Sequence, residues 1–576
     1  MRSATPPAFR MSRLFGVAFA ALFLAVIGKF GHAALFATSS KDVQVVFGSE
    51  SERPERLQFR ENRATIRSAN DAEIARSVWT TDEPDNTTTT TTPDSTNASE
   101  AANSTTTAVV DEASAHEETS ESEKKSDPGD AYWHREYPGG PLYAHIAGYI
   151  TPYGADAGLE DVLDDSMTDH SRRGSVNESD PPLPEVQLTI NDGLQQTAWD
   201  ALSDANQDGA VVVMGASTGK VYAMVSKPSF DPNDVATNAA ECVLDDEVVS
   251  CEVSGSTKRG VAVAQLERLV ASSDHVLEAR AFNFLYPPGS ILKPFWLAAA
   301  LDQGTLDQDF EFPQESVFLP ENLGHCPPGD TSCDLSAGEI HNAGGGSCGG
   351  TLTDILARSC NIAFVEMVLG NDTVTGIGPD GLQQQVDQMG FNTPLPFTLP
   401  AAEPHFPRPA VMADSAIAYN VIGDNDVRVT PLFMASLFSS IAANGDAPNP
   451  LLLETDEPSV WLEDVISEDS AAFLRTALQE TRNHTASSIG RSHLSFGAKT
   501  GTPQGTVGEG RRVAWTVLFS VIPEDELVDD QENVVVVTVI EDTQDKGSKL
   551  GGGSDAAPVG IQVLESAVSR LGLRFG

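Results

Sequence analysis

Strand-forming segments occur at both ends of the region 184–576, and helical segments fill the distance between them. Residues 209–228 (GAVVVMGASTGKVYAMVSKP) have the composition of two strands around a Ser-Thr-Gly turn. Residues 513–522 (VAWTVLFSVI) and 533–540 (NVVVVTVI) are two further predicted strands, and 431–445 (PLFMASLFSSIAANG) is typical of a helix. A sheet built from distant pieces of chain, with helices between them, predicts an α/β or α+β domain.

The charge of the chain restricts its partners. It carries 83 acidic and 36 basic residues, a formal net charge of −47. Such a surface repels nucleic acid phosphates and anionic lipid headgroups, so we expect no nucleic acid partner. A solvated acidic surface is the ordinary interpretation of this composition.

An apolar segment near the start predicts export. Three arginines in residues 1–13 precede an apolar run over 14–27. Lys29 interrupts the apolar character, and the run reaches spanning length over 14–37 if that lysine snorkels. The arginines favour a cytoplasmic tail of residues 1–13 and an exported remainder. The alternative is a cleaved signal peptide, because residues 31–33 (GHA) form a small-x-small site.

The region between the apolar segment and residue 184 is divided by composition. We predict a small N-terminal pedestal module over 38–183. Residues 80–127 within it are rich in Thr, Ser, Asn and acidic residues and nearly free of large apolar side chains. Because such a stretch buries too little apolar surface to offset its ordering entropy, we expect a disordered insert there.

A serine and a lysine stand at the start of a predicted amphipathic helix in residues 286–304 (YPPGSILKPFWLAAALDQG). Ser290 follows a Pro-Pro-Gly turn, where free backbone N–H groups favour developing negative charge. Lys293 lies on the same helix face, three residues on. A partly desolvated lysine has a lowered pKa and can accept the serine proton. Taken alone, the pattern is more often a helix cap beside a surface lysine.

Two polar residues flank Cys360 further along the chain. Ser359 and Asn361 lie in an apolar helical stretch that begins near Leu352 (RSCNIAF at 358–364). Side chains on either side of one position can both face a cleft. An ordinary helix face explains this motif equally well when it is taken alone.

A third motif precedes the strand at 513–522. It comprises Lys499, Thr500, Gly501 and Thr502, in the segment FGAKTGTPQ. The lysine and the two threonines offer charge and hydroxyls to a carboxylate. Gly501 lets a substrate backbone approach a strand edge closely.

The three motifs together are far more specific than each alone. SxxK, SxN and KTG, spaced by about 70 and 140 residues, resemble the ordered triple of serine penicillin-recognising enzymes. The upstream segment REYPGGPLYAHIAGYITPYGADAGLE is similar to class B penicillin-binding proteins, which are monofunctional peptidoglycan D,D-transpeptidases, and most of all to actinobacterial members. The resemblance covers residues 130–576 well and 45–79 faintly. Departures are Ile291, where Thr is frequent, Pro503, where Ala is frequent, and the segment 416–429.

The resemblance implies a fold and a set of roles. The expected penicillin-binding transpeptidase fold is a five-stranded, largely antiparallel sheet flanked by helices, with an all-helical subdomain, over residues 184–576. Ser290 would attack the penultimate D-Ala carbonyl of a stem peptide and form an acyl-enzyme. Lys293 would be the general base. Ser359 would relay a proton to the leaving D-Ala, with Lys499 close by.

The remaining implied roles concern binding. Asn361 would hold Lys293 and the substrate amide, and Thr500, Gly501 and Thr502 would form the substrate-binding strand. Backbone N–H groups of Ser290 and Thr502 would form the oxyanion hole. β-Lactams would acylate Ser290, and neither a metal nor a cofactor is expected.

Six cysteines in an exported chain suggest disulfides. Cys242 and Cys251 flank a short acidic loop, and a second pair at residues 326 and 333 flanks a Pro-Gly turn, so both pairs can close locally. At the SxN motif, we expect Cys360 to pack in the core or to bond to Cys348. A redox-sensitive thiol is the less favoured alternative.

Other functions remain open at this point. A D,D-carboxypeptidase or a β-lactamase uses the same triple with water as acceptor, and a non-catalytic scaffold of a division or elongation complex needs no chemistry. A β-lactam sensor would require a cytoplasmic signalling portion, for which residues 1–13 are too short. The region before residue 184 leaves no room for a glycosyltransferase, so a separate glycan polymerase is the expected partner. The resemblance implies a single-pass plasma-membrane enzyme of cell division or cell shape, with its catalytic domain outside.

Overall fold

A computed structural model describes most of the chain beyond residue 61. The described residues are 62–80, 132–151, 154–168, 183–236, 242–244, 247–249, 265–318, 339–489, 492–507, 510–523, 527, 531–543 and 549–573. The predicted tail and apolar segment (1–37), nearly all of the predicted insert, and Cys251 with its counterparts at 326 and 333 lie outside these residues. In the part of the chain that is described, no helix has both the length and the apolar character needed to cross a bilayer.

The N-terminal module is built from short elements. Its strands are β1 (Ile66–Arg67), β2 (Glu73–Thr80), β3 (Tyr132–Glu136), β4 (Tyr149–Thr151) and β5 (Gly154–Ala157). The next strand along the chain is β6 (Val186–Gln187). The helices of the module are α1 (Ala144–Ala147), α2 (Gly158–Val162) and α3 (Asp164–Met167). One sheet has the order β3-β2-β1-β6, and β6 pairs with β1 in parallel. Because β6 lies beyond residue 184, this sheet joins the two predicted domains.

A buried ion cluster holds the module together. Glu160 on α2 is fully buried and accepts hydrogen bonds from Arg63 Nε at 2.8 Å and Arg135 Nε at 2.7 Å. Arg63 also bonds to Asp164 on α3 at 2.6 Å. The contacts of Arg63 join segments about 100 residues apart in the chain, and that of Arg135 joins residues 25 apart. Removing Glu160 alone would leave two arginines without their shared partner, a change that costs about 3–5 kcal/mol in buried clusters.

The larger region supplies the remaining strands. They are β7 (Asp208–Gly215), β8 (Val221–Lys227), β9 (Cys242–Leu244), β10 (Glu247–Val249), β11 (Glu311–Glu315), β12 (Val317–Phe318), β13 (Ile340–His341), β14 (Cys348–Thr351), β15 (Ala447–Pro448), β16 (Val460–Leu462), β17 (Phe496–Gly501), β18 (Thr506–Val507), β19 (Arg511–Ser520) and β20 (Val534–Glu541). Its central sheet has the order β17-β19-β20-β7-β8, and the short β18 pairs with β19. Every pairing in this sheet is antiparallel.

The helices of this region surround the sheet. They are α4 (Asp192–Asp204), α5 (Lys293–Asp302), α6 (Leu352–Ala357), α7 (Asn361–Leu369), α8 (Gly378–Gln388), α9 (Asp414–Val421), α10 (Pro431–Ala442), α11 (Glu468–Ala477) and α12 (Ala557–Arg570). Residues 265–271 are also helical.

Alternation along β20 explains why the sheet is covered on both faces. Val535, Val537 and Val539 belong to the core cluster that contains Phe433 and Phe438 of α10. Val536 and Ile540 belong to a second cluster, which contains α4 and α12. Because neighbouring side chains of a strand point to opposite faces, a continuous apolar run is buried only between two layers of helices. The predicted five-stranded antiparallel sheet with helical layers is confirmed, with β18 as a short addition.

Candidate active site

Ser290 lies on a tight turn between the sheet and α5. The turn is a 3₁₀ segment, Gly289–Leu292, which leads directly into α5, and we refer to it as the serine turn. Ser290 is half-buried, and Lys293 follows one turn later. The prediction of an amphipathic helix is wrong: every side chain of α5 from Lys293 to Ala300 is buried. Neighbouring elements cover all faces of α5, a property that its own sequence does not specify.

The Lys293 ammonium group is fully buried within a cage of oxygen acceptors. Its Nζ donates to the Ser359 carbonyl at 2.8 Å, to Ser359 Oγ at 3.3 Å and to Asn361 Oδ1 at 2.6 Å. Burial lowers the pKa of Lys293 well below its ordinary value, and the charge of Lys499 acts in the same direction. Asp424 opposes this shift. A lysine in this environment is neutral more readily than one in water, which a general base requires.

Ser359 lies between two helices rather than inside one. It separates α6 from α7 and has a left-handed backbone conformation, with φ +60°. The predicted continuous helical stretch from Leu352 is therefore interrupted at this serine. The interruption turns Ser359 Oγ toward both lysines, because Lys499 Nζ also donates to it, at 2.9 Å. Non-glycine residues in this conformation are uncommon and occur often at functional positions.

Cys360 forms a disulfide with Cys348 on β14. Their Cα atoms are 5.5 Å apart, and Cys360 is buried. The bond ties the start of α7 to β14, next to Ser359. The expectation that Cys360 bonds to Cys348 or packs in the core is confirmed in both respects, and the free-thiol alternative is wrong.

Asn361 is the first residue of α7, and both ends of its side-chain amide are occupied. Oδ1 accepts from Lys293, and Nδ2 donates to the His341 carbonyl at 2.7 Å. The second bond fixes the orientation of the amide, so that its oxygen faces Lys293. Asn361 therefore holds Lys293 directly, and β13 in turn supports Asn361.

Lys499 projects from β17 into the same cage. It is fully buried, and its Nζ donates to Ser359 Oγ and to the Thr500 carbonyl, the latter at 2.9 Å. Burial lowers the pKa of Lys499 to about 7. The register of β17 on β19 places Lys499 opposite Val517 and Thr500 opposite Thr516. A proton can therefore be gained or lost at Lys499 near neutral pH.

The end of β17 lies against the serine turn. A Cβ atom built on Gly501 would lie 2.8 Å from the Pro288 carbonyl oxygen, which is too close for any side chain. Gly501 thus lets the serine turn approach β17, since Ile291 N would lie 3.4 Å from the same Cβ. The approach of a substrate backbone at Gly501 stays a prediction. Thr500 is nearly buried, whereas Thr502 is exposed and its Oγ1 accepts from Gly552 N at 3.0 Å.

The described residues thus bring the three motifs together. Four members share hydrogen bonds around Ser359 Oγ and Lys293 Nζ: Lys293, Ser359, Asn361 and Lys499. The serine turn and Thr500 to Thr502 form the adjoining walls. Across the described ranges, no group of three or more His, Cys, Asp or Glu side chains is arranged to hold a metal ion.

Sequence reasoning missed Gly423 and Asp424. Gly423 accepts a hydrogen bond from Gly289 N at 2.8 Å, and Asp424 accepts from the backbone just after Thr502. Both lie in the segment 416–429, which departs from the pattern of the resembling family. That departure was the available signal, but nothing in the sequence indicated which active-site segment it contacts.

Comparison with family models gives two matches. Residues 209–565 match the penicillin binding protein transpeptidase domain, which is more than half of the chain. Residues 113–181 match the penicillin binding protein A dimerisation domain.

Individual relatives and solved structures agree with these matches. Peptidoglycan D,D-transpeptidase PbpA of Mycolicibacterium smegmatis is 28% identical over 461 residues, which is 75% of this chain and 84% of the relative. Penicillin-binding protein 3 of Bacillus subtilis is 22% identical and covers 72% of this chain and 60% of the relative. The ceftriaxone acyl-enzyme of penicillin-binding protein A from M. tuberculosis superposes with a TM-score of 0.65 at 23% identity, covering 89% of this chain and 99% of that one. The D,D-transpeptidase domain from Eggerthella lenta gives 0.62 at 23% identity, covering 89% and 100%.

The fold, the convergence of the three motifs and the extent of the family match lead to one assignment. The chain belongs to the penicillin binding protein transpeptidase family.

Proposed function

We propose that the chain is a serine-type peptidoglycan D,D-transpeptidase that cross-links stem peptides through a Ser290 acyl-enzyme. The observation that carries the proposal is the buried network in which Lys293 and Lys499 both donate to Ser359 Oγ beside the serine turn. Two buried lysines with lowered pKa values are costly to the fold and are typical of a proton-transfer site.

In the first half-reaction, neutral Lys293 takes the Ser290 hydroxyl proton, and Ser290 Oγ attacks the carbonyl of the penultimate D-Ala. The backbone N–H groups of Ser290 and Thr502 stabilise the resulting oxyanion. Each such donor contributes about 2.7–4 kcal/mol in comparable acyl transfers. The C–N bond to the terminal D-Ala then breaks, and its nitrogen receives the proton through Ser359, with Lys499 adjacent.

In the second half-reaction, the amine of a neighbouring stem peptide replaces the departed D-Ala. It attacks the ester carbonyl and gives up a proton to the Ser359–lysine network. The ester bond breaks, and Lys293 returns the proton to Ser290. The same groups act in reverse order, which microscopic reversibility requires.

Substrate binding is assigned to β17 and to Asn361. Thr500 and Thr502 bind the terminal carboxylate of the stem peptide, and the positive charge available at Lys499 attracts it. A β-lactam resembles the terminal dipeptide and acylates Ser290 in the same way. Because the ring opens without releasing an amine, the site stays occupied and the adduct persists.

The apolar run near the start of the sequence supports a proposal about anchoring, and the family supports one about partnership. We propose that 14–37 anchors the protein in the plasma membrane with the catalytic domain outside, where it works in cell division or cell-shape maintenance. A separate glycan polymerase then supplies the strands to be cross-linked. Residues 38–183 serve as the pedestal, and 184–576 form the transpeptidase domain.

The test is a partition experiment. The purified full chain is mixed with a peptide ending in D-Ala-D-Ala and a labelled amine acceptor, and D-Ala release and amide product are both quantified. We expect amide product that increases with acceptor concentration and is lost in Ser290→Ala. Release of D-Ala into water alone would assign a carboxypeptidase, and release of neither product would favour a scaffold.

A further inference from the structure

One loop contacts both walls of the site. Gly423 and Asp424 follow α9, and the Gly423 carbonyl accepts a hydrogen bond from Gly289 N at 2.8 Å. The Asp424 carboxylate accepts from Gln504 N at 2.7 Å and from Gly505 N at 3.2 Å, both through Oδ1. The first bond holds the residue before Ser290, and the second pair holds the chain just after Thr502.

The loop itself is held firmly. Asp424 N donates to the Tyr419 carbonyl at 2.9 Å, which closes the end of α9. Fully buried Asn420 accepts from Asp426 N at 3.2 Å and Val427 N at 3.1 Å through its side-chain oxygen. Bonds at both ends of the loop leave Asp424 little freedom.

The Asp424 side chain is buried and contacts the backbone of the chain instead of solvent. It is 6% exposed, so its two backbone bonds act in a dry environment. Burial raises the pKa of Asp424, and the two N–H bonds together with the charges of Lys293 and Arg512 oppose that rise. A buried carboxylate is normally retained only where it has such partners.

The backbone of Gly289 lies so close to Gly423 that there is no room for a side chain at position 423. The φ of Gly423 is +86°, and an added Cβ would lie 2.0 Å from the Gly289 carbonyl oxygen. On the other side, an added Cβ on Gly289 would lie 3.2 Å from Thr502 N. The serine turn is therefore packed directly between this loop and the end of β17.

We propose that Asp424 is a positioning residue, which fixes the end of β17 against the serine turn and so sets the geometry of the Ser290 and Thr502 N–H groups. Those two donors lie on separate segments of chain. The 423–424 loop bonds to Gly289 N, next to Ser290, and to the backbone two and three residues after Thr502. The inference rests on the proposed function, because it concerns the oxyanion site of that reaction.

The test separates affinity from chemistry. Stopped-flow acylation of the full chain by a fluorescent penicillin gives the rate of the covalent step and the affinity of the preceding complex. For Asp424→Ala we expect the covalent step to slow by about 10–100-fold, because misplacing one oxyanion donor costs part of its contribution. Affinity should fall by a smaller factor than the rate, because Lys499, which attracts the carboxylate, is held by Ser359 and Thr500 and not by Asp424.

Two variants serve as controls. Asp424→Asn keeps an oxygen acceptor for both N–H groups, so it should stay within about fivefold of wild type. Asp426→Ala removes an exposed carboxylate from the same loop and should acylate at the wild-type rate.

Three results would overturn the inference. The first is a folded Asp424→Ala protein that acylates at the wild-type rate, and the second is an Asn variant as slow as the Ala variant. The third is available from the wild type alone, should the Ala variant not fold: rapid hydrogen exchange at the Gln504 and Gly505 amides. If wild type itself forms no adduct, the proposed function fails instead, so the two failures are distinct.

Discussion

Burial of Lys499 predicts that removing this lysine stabilises the fold while abolishing turnover. Lys499 is fully buried, and burial lowers its pKa from 10.5 to about 7. In the unfolded chain the same lysine is protonated at neutral pH. Folding at pH 7 therefore costs free energy at this position, and Lys499→Met removes that cost.

The magnitude follows from the two pKa values. Their difference of about 3.5 corresponds to about 5 kcal/mol below pH 7, and to about 4 kcal/mol at pH 7 itself, where folded Lys499 is half protonated. Methionine loses the bonds to Ser359 Oγ and the Thr500 carbonyl, at about 1 kcal/mol each. We therefore expect a net stabilisation of about 2 kcal/mol at pH 7.

The direction of the pKa shift of Lys499 also determines how the stability difference depends on pH. The folded pKa lies below the unfolded one, so the penalty is complete below pH 7 and disappears as pH rises toward 10.5. At pH 9 the penalty falls to about 2 kcal/mol, which is comparable with the lost hydrogen bonds, so most of the stabilisation should have disappeared.

Urea unfolding of both proteins between pH 6 and 9.5 measures this difference, with Lys220→Met as the control. Lys220 is partly exposed and paired with Glu454, so its replacement should change stability by less than about 1 kcal/mol at every pH. A Lys499→Met protein that is less stable than wild type at pH 7, or whose stability difference from wild type does not vary with pH, would contradict a burial penalty at Lys499.

Three further predictions concern single positions. Ser359→Gly should be more stable than Ser359→Ala by about 1 kcal/mol in urea unfolding, because only glycine adopts the left-handed backbone conformation without strain. Equal stabilities of the two variants would count against backbone strain at this position. The rate of acylation should fall by about 100-fold in both variants. Glu366→Gln should stabilise the chain at pH 8 but not at pH 4, because burial and the nearby Glu315 raise the pKa of Glu366 to about 7. The stability of the variant relative to wild type should therefore increase as pH rises from about 4.5 to 7, and a difference in melting temperature that does not vary with pH would contradict this. Gly423→Ala should lower stability by more than about 2 kcal/mol and acylation by at least tenfold, since its Cβ would meet the Gly289 carbonyl; a variant with normal melting and acylation would refute that contact.

The sheet and the motif residues were predictable because their signals are local. β20 is apolar from Val534 to Ile540 except at Thr538, and such a run is buried only in a sheet covered on both faces. Ser290, Lys293 and Lys499 stand in short motifs whose order along the chain is specific. The convergence of the two lysines on Ser359 Oγ follows from the fold that the resemblance implied.

The missed features depend on contacts between distant segments. The break at Ser359 is stabilised by two lysines that lie 66 and 140 residues away, so the apolar pattern around it predicted an uninterrupted helix. The hydrogen bond from Gln504 N to Asp424 joins residues 80 apart in the chain, and hydrophobic periodicity in the sequence cannot predict such a contact. Helix α5 is buried on all sides by neighbouring elements, and its own sequence does not indicate that all of its faces are covered.

Covalent labelling by a penicillin tests directly whether Ser290 is the acylated nucleophile. The full chain is incubated with a fluorescent penicillin, and the adduct is located by intact mass and peptide mapping in wild type, Ser290→Ala and the exposed-serine control Ser203→Ala. We expect one adduct on the peptide that contains Ser290. It should be unchanged in the control, absent from Ser290→Ala and stable over the time of the experiment. Labelling that survives in Ser290→Ala, or a folded wild type that takes up no penicillin, would contradict this expectation.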